Sequence, residues 1–436
     1  MSGGEEDAAG PNAEAVIAAG GRARWLKLFS SAVIDQAMLS ASNFLVGLVL
    51  IRHTSDEDYG HYVLGFTTLL LLTGVQSAYI GGPMSVLAPR QTPERRRQML
   101  ATLYHQSGRW IVRLALAIAV GCGLAGLVGL LTPLYAGMGA IYCATAATAL
   151  DREYLRTGLM IYERPQAVLR ADFAYVVFLL AGAGTAAFLF SPAAPWVFAA
   201  SAVAALAGAV LARRALAGDP GLQGPELPGL WRELAPLGGW AVAGSMIHWS
   251  FSQGYNYVVA GTLDLAAVAA LGAARLLMMP ANLMVSGIKQ LLLPMAARWH
   301  EQSGLDAMLR RLVAFAGIVA ALHLVYFGLL WLLRDWVFTE LLRKQIVQRD
   351  LILGLWMSVF LLSGVRDLLM TGILVRERFR TMTWLTSGAA VLALTSCWLG
   401  MQWYGVAGAI IGLLLGETVN LAGVIALIAR ERRLAA

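Results

Sequence analysis

The residues in this chain best placed to do chemistry are charges set inside apolar runs. Arg275 and Lys289 lie in DLAAVAALGAARLLMMPANLMVSGIKQLLLPMAARWH, residues 264–300, with Pro280 between them and Pro294 after the second. A cation buried in lipid costs about 2.5–3.5 kcal/mol on insertion scales, so two in one span need a purpose. Their spacing along a helix returns the second to nearly the face of the first, about 21 Å further on. That predicts a basic stripe beside a cavity, with Pro280 as a hinge. Arginine presents a planar fork of donors to anionic oxygens. Two uses are open for Arg275: a ligand for phosphate or sugar, or a structural ion pair across the cavity. Lys289, nearer the end of its span, either joins the stripe or snorkels to the headgroups. Arg366 is a third candidate cation, with the same structural alternative. Its neighbour Asp367 points elsewhere on a helix and is not expected to pair with it.

Two carboxylates are candidates for ion coupling. Glu417 sits mid-span in GLLLGETVNLAG and either couples a proton or sodium ion or partners one of the cations. Asp35 lies near the cytoplasmic end of the first span; Asn43, deeper in that span, and Asn256 are candidate substrate ligands. Asp172 reads as a solvated end residue, Arg52 as a rim cation, and His248 and His323 as hydrogen-bonded packing residues. Trp240, Trp249, Tyr255 and Tyr257 suit either sugar stacking or packing. The three cysteines, Cys122, Cys143 and Cys397, stand singly in apolar segments without metal or disulfide spacing. No P-loop, HExxH or paired acid/base site is present, so no catalytic residue, metal or cofactor is expected.

These residues must be positioned by membrane helices. The 436-residue chain is 58% hydrophobic and 14% charged, against about 25% charged for soluble domains. Apolar runs of about twenty residues recur throughout. They predict an all-α polytopic membrane protein of about 12 spans in two pseudo-symmetric six-helix lobes around a central cavity. A Gly/Ala/Glu-rich segment, 1–28, reads as a disordered cytoplasmic tail. The N-terminal lobe is placed at 29–217, a Gly/Pro-rich cytoplasmic linker at 218–233, the C-terminal lobe at 234–430, and a short cytoplasmic tail at 431–436. The net charge of +7 reads as orientation rather than nucleic-acid affinity. With both termini cytoplasmic, the Arg-rich loops fall on one side. The exception is 334–350, whose alternating charges predict an amphipathic surface helix. Two matches suggest a parallel repeat: Asn43-Phe44-Leu45-Val46 with Asn256-Tyr257-Val258-Val259, and Pro83-Met84 with Pro294-Met295.

The run LSASNFLVGLVLIRHTSDEDYGHYVLGFTTLLLLTGVQSAYIGGPMSVLAP resembles the first two helices of polysaccharide biosynthesis (O-antigen) flippases. These belong to the multidrug/oligosaccharidyl-lipid/polysaccharide (MOP) flippase superfamily. The resemblance rests on a polar Ser/Asn patch in an apolar helix, then an acidic turn with an E/D-x-G-x-Y pattern, here Asp58 to Tyr62. The second-half stretch SQGYNYVVAGTLDLAAVAALGAARLLMMPANLMVSGIKQLLLPMAAR is similar. The resemblance implies alternating access and outward movement of a polyprenyl-pyrophosphate-linked oligosaccharide across a bacterial inner membrane. It further implies service to O-antigen (lipopolysaccharide), capsule or exopolysaccharide synthesis, alongside membrane lipids, a polysaccharide polymerase and glycosyltransferases. A multidrug cation antiporter of the same superfamily is the nearest alternative, and a membrane polysaccharide polymerase the more distant one.

Overall fold

A computed structural model describes the backbone of residues 11–217, 222, 224–376 and 378–435, and side chains from residue 31 onward except 32, 290, 379, 434 and 435. Among these residues every regular element is helical. The first half holds α1 (Pro11–His53), α2 (Asp56–Gln76), a π-helical turn (Ser77–Gly81), α3 (Gly82–Leu87), α4 (Pro93–Leu127), α5 (Pro133–Ile161), α6 (Pro165–Leu189) and α7 (Ala194–Ala217). The second holds α8 (Leu230–Gln253), α9 (Tyr255–Thr262), α10 (Leu265–Leu276), α11 (Met279–Leu332), α12 (Arg334–Trp336), a second π-helical turn (Val337–Leu341), α13 (Arg349–Val375) and α14 (Phe379–Ala435).

Among the described residues eight helices are long and apolar enough to cross a membrane, and α11 and α14 are long enough to cross twice. Each of these two is a pair of limbs meeting at one glycine, Gly304 (φ 77°) and Gly405 (φ 54°). Their backbone conformations are essentially closed to residues with a Cβ, so glycine makes both joints possible. Counting limbs, and taking α8 with α9 and α5 as further crossings, the described residues are consistent with the about 12 spans expected from the sequence.

Local sequence explains where the helices start. Ser55 accepts a hydrogen bond from the Asp58 amide, and Asp56, Glu57 and Asp58 fill the first turn of α2, where the helix dipole favours negative charge. Thr92-Pro93 and Thr132-Pro133 pair a capping hydroxyl with a proline that lacks only a donor the helix cannot use. Asp264 caps α10 through the Ala267 amide at 2.7 Å.

In the first half α1 and α4–α7 pack together; in the second α11, α13 and α14 do. Helix α2 crosses between the halves, packing on α8 and α10. The largest apolar core is shared by both halves. It includes Val46, Leu50, Phe198, Tyr255, Leu271, Met278, Trp356 and Cys397.

Three features differ from the sequence reading. Helix α5 continues through Arg152 and Arg156, which the spans as read leave in a loop. The segment 334–350 forms only one short helix and a π-helical turn, because Arg343 (φ 52°) and Gln348 (φ 58°) adopt left-handed conformations that end a helix. The tail expected over 1–28 lies outside the described residues for 1–10. From Pro11 its Ala-rich backbone is helical, continuous with α1. Of the linker, residues 218–221 and 223 lie outside the described residues. Its later part is docked on α4: Glu226 accepts from Gln106 at 2.8 Å and from Arg109 at 2.7 Å, which holds its carboxyl below the usual range. The Leu227 amide donates to Thr102 at 2.8 Å and the Trp231 indole to Gln106 at 2.5 Å.

Candidate functional site

Arg275 occupies the last turn of α10, the end of a helix where the dipole favours a cation. It lines a cavity of ≈ 350 Å³ between the halves. Helix α1 contributes Gln36 and Asn43; α2 contributes Tyr59, Tyr62 and Phe66; the second half adds Gln253, Tyr255, Asn282 and Phe360. The guanidinium donates to Gln253 Oε1 at 2.6 Å and to the Tyr255 hydroxyl at 3.4 Å. It lies 5.8 and 5.9 Å from the ring centres of Tyr255 and Trp356. Among the described residues no carboxylate forms an ion pair with it. Amides and aromatic faces therefore orient the cation while its charge stays uncompensated.

Two helix interruptions flank this cation. Helix α8 gives way to α9 at Gly254, immediately after Gln253. Helix α10 ends at Leu276, and α11 begins at Met279 with Pro280 in its first turn. Pro280 thus stands at a real break in the chain's course. Having no N–H, it suits the start of the new helix. The freed Leu277 carbonyl accepts from the Tyr326 hydroxyl at 2.7 Å, so the break leaves no orphan acceptor there. Irregular backbone at membrane depth is tolerated where it lines a cavity.

The predicted basic stripe does not persist beyond Arg275. Lys289 Nζ lies 2.8 Å from Asp367. Arg366 lies 3.0 Å from Asp367 and 3.4 Å from Glu417, and its side chain is only 7% exposed. The adjacent pair Arg366–Asp367 does therefore meet, against expectation, because the long guanidinium stem curls round the helix to the shorter carboxylate. Lys289, Arg366, Asp367 and Glu417 form a charge-balanced group separate from the Arg275 cavity lining. Phe251 presents its ring 5.5 Å from the Arg366 guanidinium.

A second buried group stands in the first half. Asp35 meets Arg156 at 2.5 Å, and Arg156 meets Asp172 at 2.9 Å. Arg152 meets Asp172 at 2.5 Å and lies 3.8 Å from the Tyr175 ring centre. Asp172 is buried, not a solvated end residue, because α5 carries the two arginines alongside it.

Asn43 and Asn256, matched in the sequence repeat, occupy different surroundings. Asn43 lines the Arg275 cavity. Asn256 is buried and donates to Gln253 Oε1 at 3.4 Å, so it steadies the amide that holds Arg275. The aromatics of α8 and α9 act mainly as packing. Trp249 donates to the Thr67 carbonyl at 3.0 Å, Tyr257 hydrogen-bonds Thr68 and the Leu64 carbonyl, and Trp240 faces outward. His323 is buried and engages the Val319 carbonyl at 2.9 Å. Sequence reasoning missed Gln36, Gln253 and Asn282, whose signal is an amide within an apolar span.

The acidic-turn motif forms a joint at one mouth of the bundle. Asp58 accepts from the Ala193 and Ala194 amides at 2.6 and 2.8 Å, capping the start of α7. Gly60 lies so close to α10 that a Cβ there would stand 2.3 Å from the Leu265 carbonyl oxygen. Tyr62 stacks with Phe66 and Phe198. Above this joint Lys344 reaches from the second half to Asp56 at 2.5 Å and to the Thr54 carbonyl at 3.1 Å.

No protein-family model matches the sequence, and no curated protein sequence matches it. Solved structures do. An inward-facing multidrug resistance MATE family transporter of the MOP superfamily aligns with TM-score 0.75 and 11% identity, over 92% of this chain and 96% of that one. The lipid II flippase MurJ, in an inward closed conformation, aligns with TM-score 0.68 and 10% identity, over 92% and 87%. The chain shares the fold of these transporters. An outward-facing MATE family transporter of that superfamily aligns less closely, with TM-score 0.62 and 12% identity, over 94% and 96%.

Proposed function

We propose that this chain is a flippase that moves polyprenyl-pyrophosphate-linked oligosaccharide units across a bacterial cytoplasmic membrane by alternating access. The single observation that carries this reading is Arg275, a cavity cation without a carboxylate partner among the described residues. An uncompensated guanidinium suits a pyrophosphate, and the surrounding amides and aromatic rings suit sugar hydroxyls and sugar faces. Asn43 and Gln253 contribute to sugar binding, and Asn256 positions Gln253. Pro280 marks the hinge. Lys289 and Arg366 pair with Asp367 and Glu417, and Asp35 pairs with Arg156, so in this conformation these residues balance one another's charge and leave Arg275 as the open cation. The units serve O-antigen, capsule or exopolysaccharide synthesis, handed over between glycosyltransferases and a polymerase, with both termini cytoplasmic.

The fold's likeness to MATE transporters favours a second reading, a multidrug cation antiporter. Two observations weigh against it: the buried carboxylates Glu417 and Asp35 are both engaged by arginines, and the open charge in the cavity is positive. The test is outward movement of a fluorescent lipid-linked oligosaccharide in reconstituted vesicles. Arg275→Gln should lower the initial rate about tenfold or more, the loss of one charge-assisted contact, while Arg275→Lys recovers part of it. An unchanged rate in Arg275→Gln would remove the assigned site. Drug resistance on overexpression, with surface polysaccharide unaffected by deletion, would favour the antiporter.

A further inference from the structure

We infer that the groove between α4, α5 and α7 is a binding site for one anionic phospholipid with a hydroxylated headgroup. The groove has a volume of ≈ 550 Å³ and is walled largely by apolar atoms. One side is α4, whose apolar stretch from about residue 110 onward stays unburied, with Trp110 68% and Leu114 62% exposed. A lipid chain can therefore enter from the bilayer without crossing polar surface.

Basic side chains stand on one rim. Arg109 is satisfied by Glu226 at 2.7 Å, and Arg213 by Asp151 at 2.9 Å. Arg113, over the Trp110 ring at 5.8 Å, has no carboxylate partner among the described residues. It is the open charge of the groove. The inner wall adds an independent signal. Gln76 is 9% exposed and lines the groove; its Nε2 donates to the Leu150 carbonyl at 3.0 Å, while its Oε1 is buried without a partner. A buried acceptor left unpaired costs about 1–3 kcal/mol and calls for a donor. A headgroup hydroxyl supplies one, while its phosphate meets Arg113. Basic pockets between membrane helices bind anionic headgroups by this chemistry. Gln76 ends α2, the helix that packs on both halves, so an occupant would touch the element that joins them.

The inference does not depend on the flippase reading. Its test is lipid retention by the purified full chain, measured by native mass spectrometry after exchange into mixed micelles of phosphatidylglycerol and phosphatidylcholine. One phosphatidylglycerol should be retained preferentially. Arg113→Gln should weaken that preference about fivefold, the weight of one basic residue at an anionic surface. Arg310→Gln, at an exposed arginine elsewhere, should leave it unchanged. Gln76→Leu should weaken retention of phosphatidylglycerol but not of phosphatidic acid, which has the phosphate without the glycerol hydroxyls; an unaltered melting temperature shows the variant is folded. Equal loss in Arg113→Gln and Arg310→Gln would reduce the site to general surface charge and overturn the inference. Displacement of the lipid by millimolar inorganic phosphate would also overturn it, since the groove would then bind a soluble anion.

Discussion

Replacing Arg366 by methionine separates the two uses open to a buried cation. Its side chain is 7% exposed and that of Glu417 9%, with 3.4 Å between them. Removal of Arg366 alone leaves Asp367 with Lys289 at 2.8 Å but strips Glu417 of its counter-charge. Breaking one side of a buried pair costs about 3–5 kcal/mol, whereas replacing both members by apolar residues of similar volume is often neutral or stabilising. Arg366→Met should therefore unfold markedly earlier, and Arg366→Met with Glu417→Leu should recover most of that loss. At about 2–4 °C per kcal/mol for a lobe of roughly 200 residues, the single variant should melt about 6–20 °C lower. The assay is thermal unfolding of detergent-purified protein, with both single variants completing the cycle. Transport by the double variant then decides the role. A purely structural pair predicts a folded, active protein, and a substrate ligand predicts a folded, inactive one. A single variant as stable as the parent, or a double variant no better than the single, would refute the reasoning.

Gly60→Ala should lower stability by about 1–3 kcal/mol, since its new methyl group would overlap the Leu265 carbonyl; equilibrium unfolding measures it. Lys344→Ala should raise modification of a cysteine placed at Asn43 from the Lys344 side by up to about fivefold. That is the effect of a partly exposed ion pair worth about 1 kcal/mol or less, and the charge swap Lys344→Asp with Asp56→Lys should reverse it. Tyr326→Phe, which leaves the Leu277 carbonyl without its donor, should cost about 1–3 kcal/mol by the same unfolding measurement.

Much of the architecture could be read from the chain because bilayer thickness imposes one length on every span. The apolar runs gave twelve passes, including both limbs of α11 and α14. Charge positions were also legible, but charge pairing was not. Asp35, Arg156 and Asp172 are separated by long intervals in sequence, and only the packing of α1 and α5 against α6 brings them together. The same holds for Arg366 and Glu417, whose balance removes the cation excess suggested by the stretch around Arg275. The failed surface helix at 334–350 has a local cause. Alternating charge satisfies an amphipathic pattern, yet Arg343 and Gln348 take left-handed backbone conformations that no periodicity reveals. Amides such as Gln253 were overlooked because neutral polar residues barely perturb hydropathy, although they set the orientation of the cavity cation.

The acidic turn is one of the stretches that carry the sequence resemblance, and its three residues each have a mechanical occupation. Asp58 fastens the start of one helix, Gly60 lets two helices touch, and Tyr62 fills the space behind them. None of the three holds a charge open to a cargo. On the function proposed above, a descendant of this chain could exchange its substrate by altering Arg275, Asn43 or Gln253 and keep the turn intact. Conversely, a chain that lost the turn would lose the fit of its two halves before any change in selectivity. The turn thus sets how the start of α2 is seated against α7 and α10, and it is silent on selectivity.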